Sequence, residues 1–559
     1  MSEGPPANVA RYLPERAASQ PDFPALLVPR GRLPDGSINY LCQSALELNA
    51  EADAWAFRFA AAGIERGTRV LLMVRPGLSL IGICFALFKV GAVPIVIDPG
   101  MGLPGFLRCV QRSKPRALVG IGTAVVLSRV FFLRFRSVGI RLRVRSDRRI
   151  GNSADQLPYP VAPTSARDLA AVLFTSGSTG PAKGVCYEHG MFEAQVSAIR
   201  ETYSIEPGEI DLPMLPIFAL FNPALGMTTV VPEINPSRPA TVDPSMIVQA
   251  IRQCSVTSSF GSPVLWKKIA DHCIKTGSTL PTLRRILMAG APVPPRLMQD
   301  FREIIPNGHT HTPYGATEVL PVSSIDDETV IGETAERTQS GAGTCVGRPL
   351  RGVEVRVIEP SPLPIESIDE AIVCAPDHTG EIIATGPTVT RSYDQLPEAT
   401  AQAKIRDGDR IWHRMGDLGY LDSDGRLWFC GRQAEAVRTA DGVFYTDCCE
   451  AIFNPHPGVR RTALIAWQDR GTTVPAIVIE LVRGRMTETD RGKKRLVDEL
   501  AALGRMHRPT ASIRHFFFHK QFPVDVRHNA KINRLKLAGV FKGRRPILSP
   551  PCAGGNDFQ

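Results

Sequence analysis

A chain of 559 residues is too long for one simple domain, and its 43% hydrophobic and 21% charged content is that of a globular protein able to build several buried cores. This excludes a fibrous or disordered protein, while the net charge of +10 comes without any nucleic-acid-reading motif, so no nucleic acid is expected as a partner. The 12 cysteines, scattered from Cys42 to Cys552 with no CxxC pair, exclude a disulfide framework and a zinc site and point to reduced thiols in a cytoplasm.

The opening MSEGPPANVARYL lacks a basic start followed by an apolar core, so export is not expected. Residues 9–27 read as an amphipathic helix that turns into a strand at PDFPALLV. A helix over 43–64, a strand over 69–74, a helix over 78–90 and a strand over 92–98 follow, and this alternation predicts a parallel sheet with helices on its faces. The most apolar window, 78–88, is cut off by Lys89 and falls short of a bilayer span, so no transmembrane segment is expected and the chain reads as cytoplasmic. Between 128 and 151, eight arginines stand against one aspartate, with Phe131, Phe132 and Phe135 among them. A solvated basic face is the plain reading; contact with an acidic partner or an anionic membrane surface is the functional one.

The run LAAVLF (169–174) reads as a buried strand feeding the stretch LFTSGSTGPAKGV (173–185). Gly177, Gly180 and Gly184 permit backbone conformations that converge N–H groups on an anion. Thr175, Ser176, Ser178 and Thr179 add hydroxyl donors, and Lys183 adds a mobile positive charge. The spacing is not that of a Walker loop, since Lys183 follows Gly180 by three and precedes a glycine. Further on, 190–203 reads as a helix. The apolar segment 213–231, broken by Pro216 and Pro223, is either a core lining or the wall of a tunnel for an apolar substrate. Helices are expected over 245–254, 262–276 and 294–305, and a strand over 284–290. Short β-like runs at 352–359, 380–386 and 425–431 predict a small antiparallel unit. Beyond Arg432 the pattern returns to mixed α/β, with strands at 463–468 and 476–482 and a helix at 491–505. From Gly543 onward the chain is expected to be an unstructured tail.

The loop resembles the TSGSTGxxKG signature of the adenylate-forming superfamily, which comprises acyl-CoA synthetases, luciferases and the adenylation domains of peptide synthetases. Further matches follow in the same order. Gly290-Ala291-Pro292 resembles the turn bordering the adenine site, and Tyr314-Gly315-Ala316-Thr317-Glu318 matches YGxTE, whose aromatic stacks near adenine and whose glutamate holds Mg²⁺. Gly416-Asp417 matches the GD whose carboxylate accepts the ribose hydroxyls, Gly431-Arg432 matches the GR ending the large domain, and Lys531 stands where the catalytic lysine would. The resemblance therefore implies ATP and Mg²⁺ as cofactors. Lys531, Glu318 and Thr317 would be catalytic, Glu318 the metal ligand, and Thr175, Ser176, Gly177, Ser178, Thr179, Gly180 and Lys183 the cover of the phosphates. It also implies an α/β fold: a large N-terminal domain (1–432) of layered α/β subdomains with a small β-rich subdomain, then a smaller mobile α+β domain (433–542) and the tail (543–559).

Three positions depart from the acyl-CoA synthetase pattern. Ala219 follows Pro216-Ile217-Phe218 where a histidine is common, Ala434 occupies the usual Asp or Lys hinge position, and Ala530 precedes Lys531 in place of glycine. The first two put a normal CoA-thioester step in doubt and leave adenylation untouched. With FALFNPALG (218–226), PEINPSRPATVDP (232–244) and VDVRHNAKINR (524–534), the chain is most similar to the olefin-biosynthesis branch, the β-lactone synthetases acting on long-chain 2-alkyl-3-hydroxy acids. That likeness implies activation of the acid as an acyl-adenylate and ring closure by its own 3-hydroxyl, with Phe218, Ala219, Phe221 and Asn222 at the acyl site. A fatty acyl-CoA synthetase or acyl-AMP ligase is the alternative, and a catalytically silent scaffold subunit a third. The same likeness implies a multienzyme assembly with other olefin-pathway enzymes.

Overall fold

The computed structural model describes residues 7–75, 77–145, 157–175, 182–235, 241–482, 489–524 and 531–549. Ser176, Gly177, Ser178, Thr179 and Gly180 of the loop, and the 146–151 end of the arginine-rich stretch, lie outside the described residues. The described chain is a layered α/β assembly of four main sheets.

A six-stranded sheet runs in the order Ile140–Arg143, Ala117–Gly120, Arg69–Met73, Val93–Ile97, Leu169–Thr175, Lys183–Glu188. All neighbours are parallel except the last pair, as the helix–strand alternation implies for all but the edge. The Ser/Gly loop thus joins two antiparallel strands at that edge, with Thr175 opposite Lys183. Gly184 sits where the strand passes close to its neighbour: a β-carbon there would lie 2.8 Å from Phe174 Cζ and 2.9 Å from Val172 Cγ1.

On one face of this sheet the helix Ala45–Ala61 opens at a capping box, in which Ser44 and Glu47 satisfy each other's backbone N–H. It packs against Leu78–Val90. Lys89, which interrupts the apolar window in the sequence, is fully buried between the two helices. Its ammonium donates to Asn49 Oδ1 at 2.7 Å and to Asp53 Oδ1, and Asn49 Nδ2 donates to Asp53 Oδ2 at 3.0 Å. Burial lowers the Lys89 pKa and Asp53 opposes that shift.

A nine-stranded mixed sheet carries Thr228–Val230, Ser258–Gly261, Arg285–Met288 and His309–Ala316 as parallel members of its centre, and antiparallel strands at both ends. The carboxyl ends of Arg285–Met288 and His309–Ala316 deliver the 290–292 and 314–318 motifs to the same side, where open α/β sheets bind ligands.

The antiparallel unit foreseen after 318 is a sheet ordered Thr344–Cys345, Leu427–Arg432, Arg410–Leu421, Gly380–Thr385, Glu354–Ile358, with Lys404–Asp407 also on Arg410–Leu421. The long strand 410–421, which carries Asp417, has no clear strand signal in the sequence. Trp412, His413, Arg414 and Met415 are all buried, so no polar face alternates with an apolar one, and buried Arg414 is neutralised by Glu381 at 2.6 Å.

Beyond Arg432, strands Val459–Asp469, Thr472–Leu481, His515–Phe518 and Ile547–Leu548 form a four-stranded sheet with the helix Asp490–Arg505 packed on it. The expected tail is corrected here over 543–549. Ile547 and Leu548 pair with Phe516 and His515 and cover what would be an exposed edge, with Lys494 Nζ donating to Leu548 O at 3.1 Å. No described helix is long and apolar enough to cross a membrane.

Asp53→Ala leaves Lys89 buried without its counter-charge, so the unfolding free energy should fall by about 3–5 kcal/mol in denaturant titration. The double variant Asp53→Leu/Lys89→Met should recover most of that loss; equal destabilisation by both variants would show that the pair is not what holds the two helices.

Candidate active site

The three α/β layers and the C-terminal sheet meet around one cleft of about 1600 Å³. Lys183, Gly290, Ala291, Pro292, Tyr314, Gly315, Ala316, Thr317, Glu318, Asp417, Arg432 and Lys531 all line it. Residues up to 348 positions apart in the chain are thereby brought to one place by four separate sheets. Of the loop, Lys183 is described in the cleft and the backbone of Thr175 opposite it; the five residues 176–180 lie outside the described residues.

Asp417 is the electrostatic centre. It is 2% exposed, Oδ2 accepts from the Tyr314 hydroxyl at 2.6 Å, and Oδ1 lies 2.8 Å from an Arg432 guanidinium nitrogen. That second contact is an ion pair without hydrogen-bond alignment, so buried Oδ1 keeps an acceptor lone pair unused. Burial raises the Asp417 pKa, and Arg432, Tyr314 and Lys531 pull it down. Arg432 stands directly across from Asp417 in the antiparallel ladder, while Tyr314 reaches over from the nine-stranded sheet. Gly416, at φ +64°, takes the left-handed conformation immediately before the aspartate. An inward-facing acceptor at the floor of a cleft fits a vicinal diol, which brings two hydroxyl donors.

Glu318 is held at both ends by a turn the sequence reading did not single out. Its carboxylate Oε1 accepts from the Tyr393 hydroxyl at 2.7 Å, and its carbonyl accepts from the N–H and the hydroxyl of Thr390 at 2.9 and 3.0 Å. Lys404, buried, donates to Thr390 Oγ1 at 3.0 Å, and burial pushes its pKa down to about 7. The Lys183 ammonium lies 4.7 Å from the centre of the Tyr393 ring, a cation–π contact. The turn is tied to the loop strand by hydrogen bonds from Asp394 N to Gly184 O (2.7 Å) and from Cys186 N to Ser392 O (3.2 Å). Thr317 is fixed through its carbonyl, which accepts from the Tyr187 hydroxyl at 2.6 Å. The only signal for Tyr393 and Lys404 in the sequence is their place in TRSYDQLPEATAQAK, too short to show that they meet Glu318.

Lys531 is exposed and projects from the C-terminal unit. Three residues on, Arg534 is partly buried and binds Glu450 bidentately at 2.7 and 2.6 Å and Glu435 at 2.8 Å, which raises its pKa further. Val524 and Ile532 form an antiparallel bridge, and residues 525–530 between them, Ala530 included, lie outside the described residues. Lys531 therefore belongs to a described stretch, 531–534, that Arg534 pins to Glu435 and to the helix Thr446–Phe453. Ala434, at the hinge position, also lines the cleft.

The apolar arm of the cleft is walled by Phe218, whose ring stacks on Phe260 with centroids 3.9 Å apart, and by Phe221, Leu225 and Met227. Asn222 reaches the cleft, but its amide is spent on Asp211 Oδ2 (2.9 Å) and Thr229 Oγ1 (2.8 Å), and Asp211, buried, has its pKa pushed up to about 7. Ala219 does not join them. It is 5% exposed and faces a small separate cavity beside Leu80 and Met214, because the helical turns of 216–225 point successive side chains to different sides.

The family model for AMP-binding enzymes matches residues 13–394. Olefin beta-lactone synthetases of Stenotrophomonas maltophilia (strain K279a) and Xanthomonas campestris pv. campestris are each 42% identical to this chain, over 95% of it and over 98% and 97% of their own length. A feruloyl-CoA synthase of Amycolatopsis sp is 28% identical over 76% of the chain and 80% of its own. Among solved structures, the amide bond synthetase McbA of Marinactinospora thermotolerans superposes with a TM-score of 0.76 at 22% identity, covering 96% of this chain and 99% of that one, and shares its fold. The chain therefore belongs to the AMP-binding, adenylate-forming enzyme family, and nearly its whole length is similar to olefin beta-lactone synthetases.

Proposed function

We propose that this enzyme uses ATP to activate a long-chain 2-alkyl-3-hydroxy carboxylic acid and closes it to a β-lactone, releasing AMP and pyrophosphate. The observation that carries this reading is the 42% identity to two olefin beta-lactone synthetases across almost the full chain. A cleft that joins the nucleotide residues to an aromatic-walled apolar arm supports it.

In the first step a substrate carboxylate oxygen attacks the α-phosphorus, and the bond to pyrophosphate breaks. Negative charge grows on the phosphate oxygens, where Lys183 and Lys531 stand to meet it. Asp417 receives the ribose hydroxyls through its unused Oδ1, and Tyr314 and Gly290-Ala291-Pro292 border the base. Glu318, a carboxylate lining the cleft, would hold the Mg²⁺ that accompanies ATP. The metal would supply charge neutralisation on the triphosphate. In the second step the 3-hydroxyl oxygen attacks the acyl carbonyl, the bond to AMP breaks, and the hydroxyl proton passes to a phosphate oxygen of the departing AMP. An internal nucleophile already held near its target needs no CoA channel.

The same proposal divides the chain at Arg432, so that a smaller unit carries Lys531, and includes work in a cytoplasmic assembly with enzymes that make the hydroxy acid and consume the lactone.

With a defined 2-alkyl-3-hydroxy acid and Mg-ATP, mass spectrometry should detect the lactone and one AMP per turnover whether or not CoA is added. An acyl-CoA formed only in the presence of CoA, with no lactone, would overturn the reading in favour of a thioester ligase.

Lys531→Ala should slow AMP formation by about 10²–10³-fold without moving the thermal unfolding midpoint. Arg534→Met should produce a comparable loss by releasing the stretch that carries Lys531 from Glu435 and Glu450; full activity in either variant removes the role given to it.

Tyr393→Phe should leave lactone as the product while raising the Mg²⁺ concentration needed for half-maximal rate by about tenfold, because the Glu318 carboxylate loses a hydrogen bond to an ionised acceptor of about 1.5–3 kcal/mol. An unchanged Mg²⁺ dependence would show that Glu318 is not the metal's contact.

A further inference from the structure

The positive charge of this protein is gathered in one place. Residues 99–145 contain ten Lys and Arg and no Asp or Glu, whereas the rest of the chain, with 55 basic and 55 acidic residues, is neutral. None of these 47 residues lines the catalytic cleft. They form the end of the six-stranded sheet, whose outermost strand is Ile140–Arg143.

The same place exposes apolar side chains. The helix Gly122–Val130 buries Ala124 and Ser128, and leaves Val126 and Val130 59% and 65% exposed. In the turn at 131–137, Phe135 is the anchor: it is fully buried, with its ring centre 6.5 Å from that of Phe106. With Phe135 turned inward, Phe132 and Leu133 are held outward at 64% and 70% exposure. Arg129, Arg134 and Arg136, all exposed, interleave with these four apolar residues. Arg141 braces the turn from beneath, donating to Ser128 Oγ at 3.0 Å and to Val138 O at 2.7 Å.

We infer that the 126–136 surface docks this protein on an anionic lipid bilayer, with Val126, Val130, Phe132 and Leu133 entering the headgroup and upper acyl region and Arg129, Arg134 and Arg136 on lipid phosphates. Four apolar side chains, two on the end of a helix and two on the turn that follows it, are suited to a soft, deformable partner, and guanidiniums on long stems reach phosphates while their methylenes stay in the apolar layer. A folded protein partner would place its carboxylates opposite individual cations and would be met by a flatter apolar patch with a polar rim. The absence of acidic side chains from 99–145 removes repulsion from an anionic surface, and each arginine near such a surface raises the partition coefficient about fivefold, so three supply about a hundredfold. The inference is independent of the reaction proposed above.

The full chain should co-sediment with vesicles containing phosphatidylglycerol in phosphatidylcholine and not with phosphatidylcholine alone, and binding should weaken by about one order of magnitude in partition coefficient as salt is raised from about 0.1 to about 0.5 M. Phe132→Ser/Leu133→Ser and, separately, Arg129→Glu/Arg136→Glu should each reduce binding at least about tenfold, with the unfolding midpoint and AMP formation on a water-soluble acid unchanged. Failure to bind any vesicle, equal binding to neutral vesicles, or parent-like binding by both variants overturns the inference. So does self-association or capture of an acidic protein that depends on these residues while vesicles are ignored.

Discussion

A carboxylate buried to the extent of Asp417 costs several kcal/mol unless its charge is met, and the organisation of the site follows from how that cost is offset. Tyr314 comes from the nine-stranded sheet, Arg432 from the neighbouring strand of the antiparallel sheet, and the Lys531 charge from the C-terminal unit. Three layers thus converge on one anion. The pairing leaves one oxygen without a hydrogen bond, so the group that fixes the layers also keeps an acceptor for a bound ligand.

Glu318 solves a different problem. It lies on the turn between two antiparallel strands, and the metal-holding role proposed for it needs its backbone fixed as well as its side chain. Thr390 fixes the one and Tyr393 the other, and hydrogen bonds to Gly184 and Cys186 carry the same turn to the strand that follows the Ser/Gly loop. Cations crowd this region. Burial pushes the Lys404 pKa down to about 7, Glu318 opposes that shift and Lys183 adds to it.

Short contiguous motifs were legible in the sequence because their chemistry is local: a Ser/Gly/Lys loop, an aromatic-to-glutamate run and a Gly-Asp pair each state a ligand type within a few residues. The parallel sheet was legible because buried strands and amphipathic helices alternate before 100. Strand 410–421 was not, since its buried Arg414 is neutralised by Glu381 from a distant strand and the pattern of polarity that would mark it is erased. Tyr393, Thr390, Lys404 and Arg534 were missed for the same reason. Each acts through a partner far away in the chain, and only the fold brings the partners together. Ile547 and Leu548 escaped notice because two residues carry no period, although the open edge of His515–Phe518 gives them a place.

The turn anchored by Phe135 bears on how this protein behaves as a charged body. An excess of +10 spread evenly would give a molecule indifferent to its own orientation, but here the excess sits at one pole with an electrically balanced remainder. Such a particle has a leading end. In an electric field, on an ion-exchange resin or near any polyanion it rotates before it touches, so its net charge describes the conduct of one face and says little about the other.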